Sequence, residues 1–206
     1  PFDLINTSKL DWSSAINPLA AAIKCAWRVT TVSPSYLDEI SHAANGLENL
    51  LAQERGKSIG VLNGIDTEVW NPQKDSMVVK TYNARTLESG KKANKEELCR
   101  VFNLDPDQPL YTFIGRLVGE KGADLLPDIF YNALAQSDGG INILVLGSGD
   151  PQVEDRLNEI THHYPGKYNA YIGYNEALSH QIYAGADFLL MPSRVEPCGL
   201  NQMYAL

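Results

Sequence analysis

From Asn94 onward the chain repeats one pattern, and that pattern leaves few folds open. Apolar runs of four to six residues alternate with stretches of helical character. The helices are read at Lys95–Phe102, Lys121–Ala135, Val153–His163, Glu176–Ala184 and from Gly199 onward. The strands between them are Leu110–Ile114, Ile141–Leu146, Tyr168–Ile172 and Phe188–Met191. Strand and helix in strict succession build βαβ units, and βαβ units build a parallel sheet. The expected class is therefore α/β, a parallel sheet with helices on both faces. In such sheets ligands bind outside the carboxyl ends of the strands, so the loops after each strand carry the functional reading.

The first part of the chain is less regular. Ala20–Trp27 reads as a helix and Val29–Val32 as a short β-branched strand. Ser33 followed by Pro34 signals a helix start, with serine as N-cap and proline at the first helical position, running to about Ile40. Gly46–Leu51 is a further short helix and Ile59–Leu62 a strand, followed by the turn residues Asn63-Gly64-Ile65-Asp66. Residues 66–93 show no clean period and contain Pro72; a loop of that length in a compact domain is usually functional or excursive. No repeat and no low-complexity segment stands out.

Composition excludes several classes. A content of 44% hydrophobic and 20% charged residues is that of an ordinary globular chain, large enough to bury a core without disulfides. The three cysteines, Cys25, Cys99 and Cys198, form no CxxC or Cys/His metal spacing and read as reduced thiols of a cytosolic protein. A net charge of −8 speaks against nonspecific nucleic-acid binding and against a polybasic membrane surface. No apolar run approaches the roughly 18 residues of a transmembrane helix. The chain opens on Pro1 and stops at Leu206 inside a predicted helix, so both ends look cut and a longer parent is expected.

Candidate residues cluster after the strands. Pro192–Leu200 joins the last strand to the last helix. Backbone N–H groups of Gly199, Leu200 and Asn201 are the first-turn donors there, suited to a phosphate or diphosphate. Glu196, just upstream, is placed to accept from sugar hydroxyls; the alternative is a helix cap with a surface glutamate. Cys198 in the same loop is either a nucleophile or, more in keeping with its type, a small packing residue. Gly115 and Arg116 follow one strand, and Lys121 with Gly122 is expected to open the next helix. Two cations on one loop converge on an anion and would stabilise a departing diphosphate; the alternative is a pair of solvated surface cations. Gly147-Ser148-Gly149-Asp150 is half a dinucleotide fingerprint, with Gln152 where a third glycine is needed, and is expected to be a tight turn open to a ligand. Tyr174 either stacks on a nucleobase or serves an interface. Asn63 sits where the chain passes between two parts. His162 and His163 point about 100° apart on a helix and are read as solvated. His42 and His180 show no partner, with a structural role expected for His180.

Five stretches then carry a family resemblance. Ser193-Arg194-Val195-Glu196-Pro197-Cys198-Gly199-Leu200-Asn201-Gln202 resembles the signature loop of glycogen and starch synthases, the nucleotide-sugar glucosyltransferases of glycosyltransferase family 5. Thr31-Val32-Ser33-Pro34, Val61–Asp66, Gly115–Gly122 and Ile172–Ala177 match in the same order. The resemblance implies a GT-B architecture, with residues 1–57 the tail of an N-terminal acceptor-side domain. Residues 58–206 would then be most of a Rossmann-like C-terminal nucleotide-sugar domain. It implies retaining transfer of glucose from ADP-glucose, or UDP-glucose as in some relatives, to an α-1,4-glucan acceptor in the cytoplasm or a plastid, with no cofactor and no metal.

By the same resemblance Arg116 and Lys121 contact the diphosphate and Tyr174 packs on adenine. Asn63 lines the active-site cleft, and Glu196 supports the developing oxocarbenium charge. Gly115, Cys198, Gly199, Leu200 and Asn201 complete the substrate side. Where many retaining transferases carry a second glutamate, eight positions after the first, this chain has Tyr204. The family's Lys-x-Gly-Gly loop has no counterpart, so binding without turnover is expected of these 206 residues alone. Two other classes stay open at this point: a nucleotide-binding module without catalysis, and a dinucleotide oxidoreductase, which would leave Arg116, Lys121 and Glu196 unexplained.

Overall fold

The structure is a computed structural model that describes residues 11–12 and 15–206. Residues 1–10 and 13–14 of the expected 1–57 segment lie outside the described residues. The chain divides into two compact units, residues 1–64 and 65–206.

In the first unit, β1 (Asp11–Trp12) pairs antiparallel with β2 (Ala15–Ile16). Helix α1 (Pro18–Cys25) starts at Asn17, whose Oδ1 accepts from Ala20 N at 3.1 Å. β3 (Val29–Thr31) leads into α2 (Pro34–Ile40). Its cap is the expected one, Ser33 Oγ accepting from Tyr36 N at 3.0 Å with proline at the first position. α3 (Glu48–Gln53) and a 3-10 turn (Arg55–Lys57) precede β4 (Ser58–Gly60), which pairs parallel with β3. Residues 58–60 thus belong with the first unit, although the expected second part began at residue 58. Gly60 runs against the Ser33–Pro34 backbone, which leaves no room for a Cβ. Ala20, Ile23, Leu47, Leu50 and Leu51 form the core.

The second unit is the α/β sheet. Its elements are α4 (Leu87–Phe102), β5 (Leu110–Leu117), α5 (Leu126–Gln136), β6 (Asn142–Gly149), α6 (Pro151–His163), β7 (Tyr168–Ile172), α7 (Glu176–Gly185), β8 (Phe188–Leu189) and α8 (Leu200–Ala205). The four strands run in the order β7-β6-β5-β8, all parallel. Side chains alternate across a strand, and here the alternation sorts two cores. Phe113, Leu117, Ile143 and Val145 face α5 and α6. Leu110, Leu144 and Leu146 face α4 and α7. Helices therefore cover both faces, as the succession of elements required. From β5 the chain builds outward through β6 and β7, then returns through α7 to place β8 on the other side of β5. The crevice between the carboxyl ends of β5 and β8 is the switch point where such sheets bind ligands.

Several boundaries differ from the sequence reading. β5 runs to Leu117 instead of ending at Ile114, because its ladder with β6 continues, so Gly115 and Arg116 lie in the strand and not in the loop after it. Three further differences have tertiary reasons. Helix α4 starts at Leu87, not Lys95. Gly90 and Asn94, which argue against a helix locally, are used by packing: a Cβ on Gly90 would strike the Tyr82 side chain. Asn94 is buried, accepting from Val79 N at 2.9 Å and donating to Lys80 O at 2.7 Å. The helix expected from Lys121 instead begins at Leu126. Two 3-10 turns, Gly119–Lys121 and Ala123–Leu125, precede it, separated by Gly122 in the left-handed region at φ 67°. Lys121 therefore does not open an α-helix, and no α-helical N-terminus adds charge beside it. Finally, Gly147-Ser148-Gly149 is strand rather than turn. β6 continues through Gly149, paired with Leu117 of β5, and both glycines lie where the backbone carbonyls of Gly115 and Leu117 exclude a Cβ.

Phe130 sits fully buried in the larger core. Phe130→Ala is expected to lower the unfolding free energy of the second unit by about 3–5 kcal/mol in urea titration. Asn132→Ala, exposed two residues on, should stay within about 0.5 kcal/mol of the parent.

Candidate functional site

The loops leaving β5 and β8 meet at the switch point and are tied together. The backbone N–H groups of Arg194 and Val195 both donate to Glu120 O, at 2.8 and 3.1 Å. The Arg194 guanidinium reaches Asp124 with two hydrogen bonds, 2.5 and 2.9 Å, and Gly119 O at 2.7 Å. A bidentate fork of this kind fixes both direction and distance. Nothing local marks Arg194 for this role, because its partner Asp124 lies 70 positions upstream. Gly122 lets the loops touch: its Cβ position is filled by the Pro192 carbonyl.

Within this frame Lys121 Nζ donates to Glu196 Oε2 at 2.7 Å, and Ser193 Oγ donates to the same oxygen at 2.8 Å. The two charged side chains are 22% and 28% exposed. Burial pushes the Glu196 carboxyl up, but the hydrogen bonds from Lys121 and Ser193 and the lysine charge together hold it below the usual carboxylate value. Glu196 is thus not a simple surface cap. Arg116 is different. Its guanidinium is 68% exposed and lies 3.6 Å from Glu120, an exposed pair of the kind worth about 0–1 kcal/mol. It is free to swing to another anion at little cost.

A cavity of about 400 Å³ opens at the carboxyl ends of β5, β6 and β7. Gly115, Arg116, Tyr174 and Asn201 line it, so four of the expected substrate residues share one space. Tyr174 is 85% exposed, and it follows Gly173 at φ 150°. Asn201 Nδ2 donates to Ile114 O at 2.7 Å, clamping α8 to the end of β5. Lys121, Glu196, Cys198, Gly199 and Leu200 are not among the cavity's lining residues. Gly199 is buried at φ 79° and begins α8 without a side-chain cap, while Cys198 is half-buried and its carbonyl accepts from Gln202 at 3.3 Å. Asn63 is exposed near the end of the first unit. The three cysteines are free, and among the described residues no group of three or more His, Cys, Asp or Glu is placed to hold a metal ion. No helix of the described residues is long and apolar enough to cross a membrane.

His180 has the partner its sequence context concealed. It is 2% exposed on α7, and its Nδ1 lies 2.6 Å from Asp75 Oδ2. Its ring stacks on Trp70 at 3.7 Å and 11°, and Trp70 stacks on Tyr204 at 3.9 Å and 22°. The only local signal was a tryptophan and an aspartate inside an otherwise irregular stretch.

Known proteins match the chain along most of its length. Residues 1–53 match the starch synthase catalytic domain, and residues 94–206 match glycosyl transferases group 1. The chain is 57% identical over 205 residues to a glycogen synthase of Flavobacterium johnsoniae, covering 100% of this chain and 43% of that protein. Against a glycogen synthase of Treponema denticola the identity is 44% over 210 residues, 99% of this chain and 42% of that one. The chain therefore spans less than half the length of these curated relatives. Among solved structures, it resembles the catalytic domain of Starch Synthase IV from Arabidopsis thaliana bound to ADP and acarbose, with a TM-score of 0.85 and 38% identity. That match covers 92% of this chain and 39% of the other. The resemblance carried by the five motifs holds across the whole sequence, and with more than half of its residues matching the family, the chain belongs to the glycosyl transferases group 1.

Proposed function

We propose that this chain is the nucleotide-sugar side of a retaining glucosyltransferase that elongates α-1,4-glucan from ADP-glucose. One observation carries the reading: the cavity at the carboxyl ends of β5, β6 and β7, with Gly115 and Arg116 in the last residues of β5 and the exposed Tyr174 after β7. The cavity's volume suits a nucleotide, and the pairing of cation and aromatic suits a diphosphate joined to a base. Relatives described as glycogen synthases, and a similar structure bound to ADP and acarbose, support the same donor and acceptor classes.

In this reading Arg116 and Lys121 take the diphosphate and Tyr174 takes the base. Gly115, Cys198, Gly199, Leu200 and Asn201 serve the donor site, and Asn63 belongs to the active-site cleft. Glu196, kept ionised, faces the transferred glucose. Residues 1–57 serve the acceptor side. The partners are the sugar nucleotide and the glucan, with no nucleic acid or membrane surface, in keeping with a net charge of −8 and a cytoplasmic enzyme.

Calorimetric titration of the 206-residue chain tests the reading. ADP is expected to bind, UDP to bind more weakly, and NAD not at all. UDP tighter than ADP would move the donor to UDP-glucose. Heat from NAD but not from ADP would replace the proposal with a dinucleotide enzyme.

A further inference from the structure

The roles assigned above leave one cluster of this unit unused. Trp70 lies in the segment between Ile65 and Leu87 that carries no strand or α-helix. That segment is nonetheless held in place. Trp70 N donates to Asp66 O at 2.9 Å, and Gln181 Nε2 of α7 donates to Met77 O at 3.1 Å. The Trp70 ring lies between His180 of α7 and Tyr204 of α8, with Tyr183 edge-on at 5.5 Å and 85°. Beneath the stack, Asp75 and His180 form a pair whose side chains are 7% and 0% exposed. The hydrogen bond to Asp75 fixes the His180 ring where Trp70 stacks on it. What it holds is the face of Trp70 that meets α7.

Two facts link the stack to the site. Trp70, Tyr183 and Tyr204 line the same 400 Å³ cavity as Gly115, Arg116 and Tyr174. In addition, α8 has six residues, too short to hold its place by helix formation alone. Its tethers include Asn201 on Ile114 O at one end and Tyr204 on Trp70 at the other. Moving Trp70 would move α8, and with it the Ser193–Gly199 loop that ends on Gly199.

We propose that Trp70, held by the Asp75–His180 pair, is a positioning residue of this cavity: it seats α8 through Tyr204 and, by the ring edge left between its stacked neighbours, joins Tyr183 and Tyr204 in an aromatic wall against which a bound nucleoside diphosphate rests. The inference depends on the cavity being the nucleotide site. It adds a residue from the irregular segment, and a buried hydrogen-bonded Asp75–His180 pair, to the groups that decide nucleotide affinity. Tyr204 is thereby part of the donor site's architecture although it carries no carboxylate.

Tryptophan emission reports the proposal directly, because the chain's other tryptophans are Trp12 and Trp27 of the first unit. ADP added to the unaltered chain is expected to change the emission. The change should vanish in Trp70→Phe and persist in Trp27→Phe. By calorimetry, Trp70→Ala should weaken ADP binding tenfold or more and Trp70→Phe less than threefold, with Asp75→Asn between them. Trp70→Phe keeps an aromatic face, so the emission arm stands even if Trp70→Ala fails to fold. Calorimetric ADP binding without a Trp70-dependent emission change, or Trp70→Ala affinity within twofold of the parent, overturns the inference and leaves the nucleotide site itself standing. No ADP binding in the unaltered chain removes both.

Discussion

Glu196→Ala, made in a full-length synthase carrying this chain, is expected to lower kcat by about 10²–10³-fold, the range found when one preorganised charge-stabilising group is removed. The apparent KM for the sugar nucleotide should change far less, because a group that serves mainly the transition state leaves ground-state binding nearly intact. The structure supplies the physical reason. Glu196 is only partly exposed, and Lys121 and Ser193 both donate to one of its oxygens, so the carboxylate enters the reaction already charged and oriented. Initial rates with labelled glucose and a glucan acceptor measure this, and an unchanged kcat would reduce Glu196 to a group that braces the loop.

Lys121→Ala is expected to weaken ADP binding by about 10–150-fold, from the roughly 1.5–3 kcal/mol of a hydrogen bond to a charged group. Arg116→Ala should fall within the same range, but for a different reason. Arg116 is loosely paired and exposed, so its loss removes an anion contact and little else. Lys121 holds Glu196, and its loss also leaves a partly buried carboxylate without its cation. The two variants therefore separate on pH. In the parent the Glu196 carboxyl is held below its usual value of 4.5, so the pair's stabilisation is present above that value and is lost as pH falls through the depressed one. Lys121→Ala should accordingly be less stable than the parent at neutral pH, with the gap closing in acid, whereas Arg116→Ala should show no such gap. Calorimetric affinities together with urea midpoints at neutral and acidic pH read both effects. ADP affinities equal to the parent's in both variants would remove the diphosphate roles.

The alternation of strands and helices was legible because it is written in neighbours. A run such as Asn142–Leu146, buried at every position, or the Ser33-Pro34 cap, acts within one or two turns of chain. Local chemistry of that kind survives without the rest of the molecule. The order in which motifs occur was equally readable, and it led to the right family. The site's inner workings were not legible in the same way. Lys121 and Glu196 are 75 positions apart, and Asp75 and His180 are 105 apart. Gly90 and Asn94 look like reasons to stop a helix until Tyr82 and the Val79–Lys80 backbone are packed against them. Periodicity reports how a residue relates to the next few along the chain, so it determined the class of fold and the succession of elements, while the ladder between β5 and β6 carried both strands three residues past their expected ends. The sheet order β7-β6-β5-β8 decided the rest, because only a parallel sheet whose strand order reverses at β5 brings the two distant loops to one crevice, where a lysine can hold a glutamate in place.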